Sequence, residues 1–273
     1  MTRVGFIGLG SQGGGMARRI VECGFPLTLW ARRAESLAPF ADTAATVADT
    51  PAELGAASDV VGICVVDDAD VEDVVGRADG VLAGMSPGGV IAIHATVHPD
   101  TCRRLAATAK GRGIAVVDAP VSGGGAVAAA GNLLVMVGGD DDAVATCRPV
   151  FETYGNPVVH LGALGAGQMA KLFNNFVFTA QITVALETYG FAEALGVDRA
   201  GLAQVLAAGS GGSRVAAIIA AGGFDLAGLR GAAPLLRKDV AIMLDVAAAG
   251  GATPPAAIVE LAQRTLATLG DGA

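Results

Sequence analysis

The sequence predicts an α/β N-terminal half built on a doubly wound, mostly parallel sheet, followed by a long connecting helix and an all-α C-terminal half. Three observations predict it. Short apolar runs of β type alternate with helical patterns to roughly residue 162, a glycine-rich turn joins the first run to the first helix, and no convincing strand follows Gly167. At 273 residues the chain exceeds what one hydrophobic core usually serves, so two domains are expected, residues 1–163 and 164–273.

The elements follow in order. "RVGFIGLG" is a β-type run ending in glycines, and "GGGMARRIVECG" has helical spacing with Gly24 as its stop. "PLTLWAR" is a second strand. "ASDVVGICVVDD" holds a third, a continuous apolar run of the kind buried on both faces of a parallel sheet. "GGVIAIHAT" and "GIAVVDAP" repeat it around the helix "PDTCRRLAATAKGRG", and "GNLLVMVGG" and "PVVHLG" are further strands. From about 167 to 195 one helix is predicted, free of proline and apolar on nearly all sides, so it requires cover from its own domain or from another subunit. "DRAGLAQVLAA", "SRVAAIIAA", "PLLRKDVAIMLDVAAAG" and "PPAAIVELAQRTLATL" complete an all-helical second half.

Composition narrows the function. Hydrophobic residues make up 52% and charged residues 16%, which excludes a disordered chain. The net charge of −8 argues against nucleic acid or an anionic membrane as partner. No run of about 18 apolar residues predicts a membrane span, and no basic-then-apolar leader opens the sequence. Cys23, Cys64, Cys102 and Cys147 are scattered without CxxC spacing, which reads as reduced thiols in a cytoplasmic protein. His94, His98 and His160 lack metal-ligand spacing, and "VDDADVED" and "GGDDDA" read as solvated acidic loops, so no metal is expected.

Chemistry begins at the first turn. Gly8, Gly10 and Gly13 have GxGxxG spacing, directly after a strand and opening a helix, which is the context that gives the motif its mechanism. Gly8 permits the turn, Gly10 lets backbone approach a pyrophosphate, and Gly13 lets helix and strand pack closely. The phosphates then meet free N–H groups at the helix N-terminus. Leu9, Ser11 and Gln12 complete this loop, and Val65 and Val66 after the third strand are assigned with it to a dinucleotide. A binder of the ribose 2′-hydroxyl carries an acid at the end of its second strand, but "LWARRAES" offers Arg32 and Arg33 there. A guanidinium clasps a 2′-phosphate, so NADP is expected over NAD, with NAD still possible. The other reading, that both arginines are solvated surface charges, stays open at this level.

Two further stretches are candidates for substrate. Ser122, Gly123 and Gly124 offer a hydroxyl and successive backbone N–H groups that suit a carboxylate, and equally suit an ordinary turn. In "GAGQMAKLFNN", Lys171 and Asn175 lie four apart and so share a helix face. They form either a grip for substrate oxygens or two polar residues on a wet surface.

The chain resembles the β-hydroxyacid dehydrogenase family, which includes 3-hydroxyisobutyrate dehydrogenase and tartronate semialdehyde reductase. "GFIGLGSQGGGMA", "DAPVSGG", "GNLLVMVGG", "GAGQMAKLFNN" and "LLRKD" carry the resemblance, in the family's order and over nearly the whole length. It implies a Rossmann domain, a helical C-terminal domain, at least a homodimer, and hydride transfer between NADP(H) and a small 3-hydroxy acid or its semialdehyde. It also implies Lys171 as the catalytic acid/base, Asn175 orienting substrate, Ser122, Gly123 and Gly124 holding a carboxylate, and Thr96 and Lys238 contacting the cofactor. An ammonium in that place both stabilises charge developing on the carbonyl oxygen and delivers the proton. Gln12, Ala95 and Gly231 depart from the family's usual methionine, serine and aromatic residue. Two alternatives share this architecture: a non-catalytic NADP-binding module, and an imine-reductase-like enzyme, which generally lacks a lysine at position 171.

Overall fold

The structure is a computed structural model and describes residues 1–270. It divides into two compact units, Met1–Lys171 and the residues from Leu172 onward. In the first unit β1 (Val4–Ile7), α1 (Ser11–Glu22), β2 (Leu27–Trp30), β3 (Thr46–Val47), α2 (Pro51–Ala56) and β4 (Val60–Ile63) come first. Then follow α3 (Asp68–Gly76), α4 (Val81–Gly84), β5 (Val90–Ile93), α5 (Pro99–Lys110) and β6 (Ala115–Asp118). The six strands form one sheet in the order β3-β2-β1-β4-β5-β6, with every pairing parallel. The same residues of β1, Val4–Ile7, pair with β2 on one side and β4 on the other, so the strand order reverses beside them.

Period-2 alternation distributes these short strands between two cores. Val4 and Phe6 join Met16 and Ile20 of α1 on one face, while Ile7 joins Leu54 and Val71 on the other. Burial on both faces is why such strands read as continuous apolar runs.

The chain continues through β7 (Val121–Ser122), α6 (Gly125–Ala129), β8 (Leu133–Val137), α7 (Asp141–Phe151) and β9 (Gly155–His160). Here the structure differs from a single parallel series. β7, β8 and β9 form their own sheet, antiparallel between β7 and β8 and parallel between β8 and β9. Only Ala119 and Pro120 separate β6 from β7, and a parallel pairing needs a crossover of a dozen residues or more. β7 therefore leaves the main sheet and pairs with β8.

Within the first unit His94 is buried against Phe6, Phe151 and Tyr154. Its Nδ1 donates to Ala119 O at 2.7 Å, which leaves Nε2 to accept from the Tyr154 hydroxyl at 3.2 Å. That pattern fits the neutral ring, and burial lowers the His94 pKa from 6.5 to about 4. Below pH 6.5 the unfolded chain takes up a proton that the folded chain refuses until about pH 4, so stability falls as pH drops through that window. The loss attributable to this ring is roughly 3 kcal/mol. His94→Asn keeps a donor for Ala119 O but does not titrate, and it is expected to flatten the slope of urea midpoint against pH between 6.5 and 4. Equal slopes in the two proteins would refute this account.

α8 (Ala166–Ala194) begins in the first unit and continues into the second. The second unit adds α9 (Arg199–Ala208), α10 (Arg214–Ala221), α11 (Ala227–Arg230), α12 (Ala233–Ala249) and α13 (Ala256–Gly270). Leu172, Phe176, Ile182 and Tyr189 of α8 pack with Ile219, Val240, Met243 and Leu266 in its core. Thr183 and Thr265 join α8 to α13 through hydroxyls 2.7 Å apart. Phe173, Val177, Val184 and Phe191 remain exposed, as does Leu195 just beyond the helix. At 3.6 residues per turn these five lie within about 40° of one another around the helix. They form one apolar stripe.

Candidate active site

The loops that carry the predicted ligand residues follow the carboxyl ends of parallel strands. Gly8–Gly13 follows β1, Arg32 and Arg33 follow β2, Val65 and Val66 follow β4, Thr96 follows β5, and β7 brings Ser122 just beyond β6. In an open α/β sheet, ligands bind along this edge where the strand order reverses, here between β1 and β4.

The three motif glycines meet three different constraints. Gly8 has φ +96°, and a Cβ there would lie 2.2 Å from Cys64 O. A Cβ on Gly13 would lie 1.9 Å from Gly8 O, so the helix can approach the strand only without one. A Cβ on Gly10 would meet nothing within 4 Å. The first two sites are closed by the protein's own backbone, while the third faces open space. Gly10 also caps α1 without any side-chain hydrogen bond, and no acid stands in the first turn. The N–H groups at that end are thus left for an anion, and the residues fit a pyrophosphate.

Arg32 is exposed, and its Nη2 lies 2.9 Å from Asp70 and 3.8 Å from Asp73. Arg33 is exposed next to it. Val66 is 57% exposed, an apolar surface at the same strand edge, and Val65 and Thr96 are half-buried.

The turn after β6 is shaped by glycine. Gly123 and Gly124 have φ +145° and +83°, and Gly124 is the residue from which α6 starts. A Cβ on Gly123 would lie 2.7 Å from Val127, whereas one on Gly124 would meet nothing within 4 Å. Ser122 is half-buried in β7. A Cβ on Gly125 would lie 2.5 Å from Ser11 Oγ, so this turn rests directly on the first turn of α1. The dinucleotide loop and the Ser122 turn are therefore one construction within the first unit.

Lys171 is half-buried in the second turn of α8. Asp118, fully buried at the end of β6, holds the start of this helix by accepting from Gly165 N at 2.7 Å and Gln168 N at 2.6 Å. Burial raises the Asp118 pKa, and the hydrogen bonds from these backbone groups oppose the rise.

In the second unit, Asn175 Nδ2 donates to Asp239 Oδ2 at 2.5 Å, and Asn175 Oδ1 accepts from Asn174 at 3.0 Å. Lys238 Nζ lies 3.0 Å from Asp239 Oδ1. Asp239 is 4% exposed and thus fixes both Asn175 and Lys238, a function that the sequence reading did not assign. A signal was present: Leu236, Asp239, Val240 and Met243 follow the i, i+3, i+4, i+7 spacing of a core face, and the acid on it requires a partner.

Among the described residues, no cluster of three or more His, Cys, Asp or Glu side chains has the arrangement to hold a metal ion. Among the described residues, no helix is long and apolar enough to cross a membrane. Burial pushes the Cys147 thiol up to about 12, which rules it out as a thiolate nucleophile near neutral pH.

Comparison with known proteins adds the family context. The NAD binding domain of 6-phosphogluconate dehydrogenase matches residues 3–162, and the NAD-binding domain of NADP-dependent 3-hydroxyisobutyrate dehydrogenase matches residues 165–273. An uncharacterised oxidoreductase of Mycobacterium tuberculosis is 40% identical over 204 residues, 75% of this chain and 69% of the relative. The NAD-dependent L-serine dehydrogenase of Pseudomonas aeruginosa is 31% identical over 78% of this chain and 72% of its own. A solved structure of Mycobacterium tuberculosis 3-hydroxyisobutyrate dehydrogenase with L-serine aligns at a TM-score of 0.85 and 30% identity, covering 97% of this chain and 92% of that one.

Proposed function

Since the chain belongs to the β-hydroxyacid dehydrogenase family and is an NAD(P)-dependent hydroxyacid dehydrogenase, we propose that it moves a hydride between NADP(H) and a small 3-hydroxy acid or its semialdehyde. Residues 1–163 bind the cofactor, and residues 164–273 serve substrate and subunit association. The observation that carries this reading is Lys171, half-buried on a helix whose start is tied to β6, in the same compact unit as the glycine loop and the Ser122 turn.

The bound nicotinamide supplies the hydride in reduction and accepts it in oxidation. The protein's own residues do the rest. The Lys171 ammonium donates its proton to the oxygen as the carbonyl is reduced; in oxidation the neutral amine takes the hydroxyl proton. Ser122 and the N–H groups of Gly123 and Gly124 hold the substrate carboxylate, and the open approach at Gly124 supports that assignment. Asn175 orients the substrate, with its amide set by Asp239. Gly8, Leu9, Gly10, Ser11, Gln12 and Gly13 hold the pyrophosphate, Val65, Val66, Thr96 and Lys238 contact the rest of the cofactor, and Arg32 and Arg33 receive the 2′-phosphate. No metal takes part. The four cysteines are free thiols, which supports a reducing, cytoplasmic setting.

A panel of small 3-hydroxy acids including 3-hydroxyisobutyrate, serine and glycerate, each assayed with NADP and NAD, tests the reading. At least one member is expected to turn over, with a higher kcat/KM for NADP. Tight NADPH binding without any turnover would instead support a non-catalytic module.

We also infer a homodimer or higher homo-oligomer built on the stripe Phe173, Val177, Val184, Phe191 and Leu195, since a contiguous apolar face rarely stays open to water. Phe191→Glu combined with Leu195→Glu is expected to shift the mass measured by light scattering toward one chain. An unchanged oligomer would place the interface elsewhere, and a wild-type monomer would remove this inference.

A further inference from the structure

We propose that Gln168 is a positioning residue whose amide clamps the loop around Thr96 to the helix that carries Lys171. The proposal deepens the reading above and rests on its roles for those two residues. Gln168 is fully buried, and its side chain meets two backbone groups that flank Thr96. Nε2 donates to Ala95 O at 2.8 Å, and Oε1 accepts from Val97 N at 3.2 Å. Because a carbonyl only accepts and an amide N–H only donates, these partners fix which end of the side chain is which. Methionine would match its length but satisfy neither partner.

The clamp works only if the residue that carries it is itself held. Gln168 N donates to Asp118 Oδ2 at 2.6 Å, and Gly165 N donates to Oδ1 of the same carboxylate at 2.7 Å. The first turn of α8 is thus satisfied by an acid from the end of β6. Side chains are excluded around that acid: a Cβ on Gly138 would lie 2.4 Å from Asp118 Oδ1, and one on Gly167 would lie 2.9 Å from Oδ2. His94 adds a third tie, from the residue before Ala95 to Ala119, which leads into the Ser122 turn.

Gln168 and Lys171 are three residues apart on α8, so they share a face and are separated by about 4.5 Å along the axis. A shift of the Thr96 loop is therefore transmitted to the Lys171 turn, and the reverse. A buried polar network of this kind, satisfied at every atom named, specifies a single geometry where apolar packing would allow several. The cofactor-contacting Thr96 loop and the Lys171 turn, which meets the substrate oxygen, are held as one body.

The test compares Gln168→Met with the wild-type enzyme, measuring kcat per folded protein, NADPH affinity by fluorescence, and the unfolding transition. A positioning role predicts that kcat per folded molecule drops at least tenfold while NADPH affinity stays within about threefold. A purely structural role predicts that kcat falls only in proportion to the folded fraction, and that result would overturn the proposal. Gln168→Glu keeps an acceptor for Val97 N but loses the amide donor to Ala95 O; it takes the same two readouts if the methionine variant does not fold. Lys171→Ala, run in parallel, separates the two levels. If that variant retains turnover, the assignment of Lys171 fails; if it is inactive while both Gln168 variants match wild type, only the clamp fails.

Discussion

Lys171→Ala is expected to lower kcat by about 10²- to 10⁴-fold while leaving NADPH binding nearly intact, the usual range for loss of general acid–base catalysis. The side chain has two tasks, stabilising charge on the carbonyl oxygen and transferring a proton, and alanine does neither. Lys171→Arg separates them. Arginine keeps a positive charge but does not deprotonate at accessible pH, so it cannot act as the base that oxidation requires. Oxidation by the arginine variant is expected to fall nearly as far as by the alanine variant, with steady-state rates in both directions as the check. The half-buried position in the second turn of α8 supports this role over that of a solvated surface lysine. Near-wild-type turnover in Lys171→Ala would remove the residue from the mechanism.

Arg32→Asp is expected to weaken NADPH by one to two decades while changing NADH by less than about threefold. The scale comes from charge-assisted hydrogen bonds, worth roughly 1.5–3 kcal/mol each, together with the repulsion an acid adds against a phosphate. The present partners of Arg32 do not stand in the way. Its pairs with Asp70 at 2.9 Å and Asp73 at 3.8 Å are exposed, and such pairs contribute roughly 0–1 kcal/mol. A doubly charged phosphate that accepts from two guanidinium N–H groups outcompetes them. Equilibrium titration of both reduced cofactors decides the matter, and equal losses for the two would mean that Arg32 does not meet the 2′-phosphate.

Much of the fold was legible because burial on both faces leaves a distinct trace. Val60–Ile63 and Val90–Ile93 are continuous apolar runs, and such runs between helical patterns imply a parallel sheet. The glycine loop was equally legible, since backbone clashes at Gly8 and Gly13 exclude any side chain and so leave their mark on the sequence. The separate β7-β8-β9 sheet was not read, because β7 is two residues long and its partner is chosen by the short link after Asp118. At the site, residue types were readable but their partners were not. Gln168 reaches Ala95 across 73 positions, and Asn175 reaches Asp239 across 64. Pairings over such separations are set by how the strands and helices stack, which local spacing does not encode. Asp239 is the exception, since an acid on the apolar face of α12 was visible as a periodicity conflict.

Direct transfer of hydrogen between nicotinamide C4 and the β-carbon of a small acid is the step on which the proposed function rests. It is tested by supplying NADPH deuterated at C4, in each of its two stereoisomers, with the semialdehyde of whichever acid turns over. One isomer is predicted to place a single deuterium on the β-carbon of the product, seen by proton NMR as loss of one signal and by mass spectrometry as a gain of one unit. Product formed without deuterium from either isomer would contradict the account.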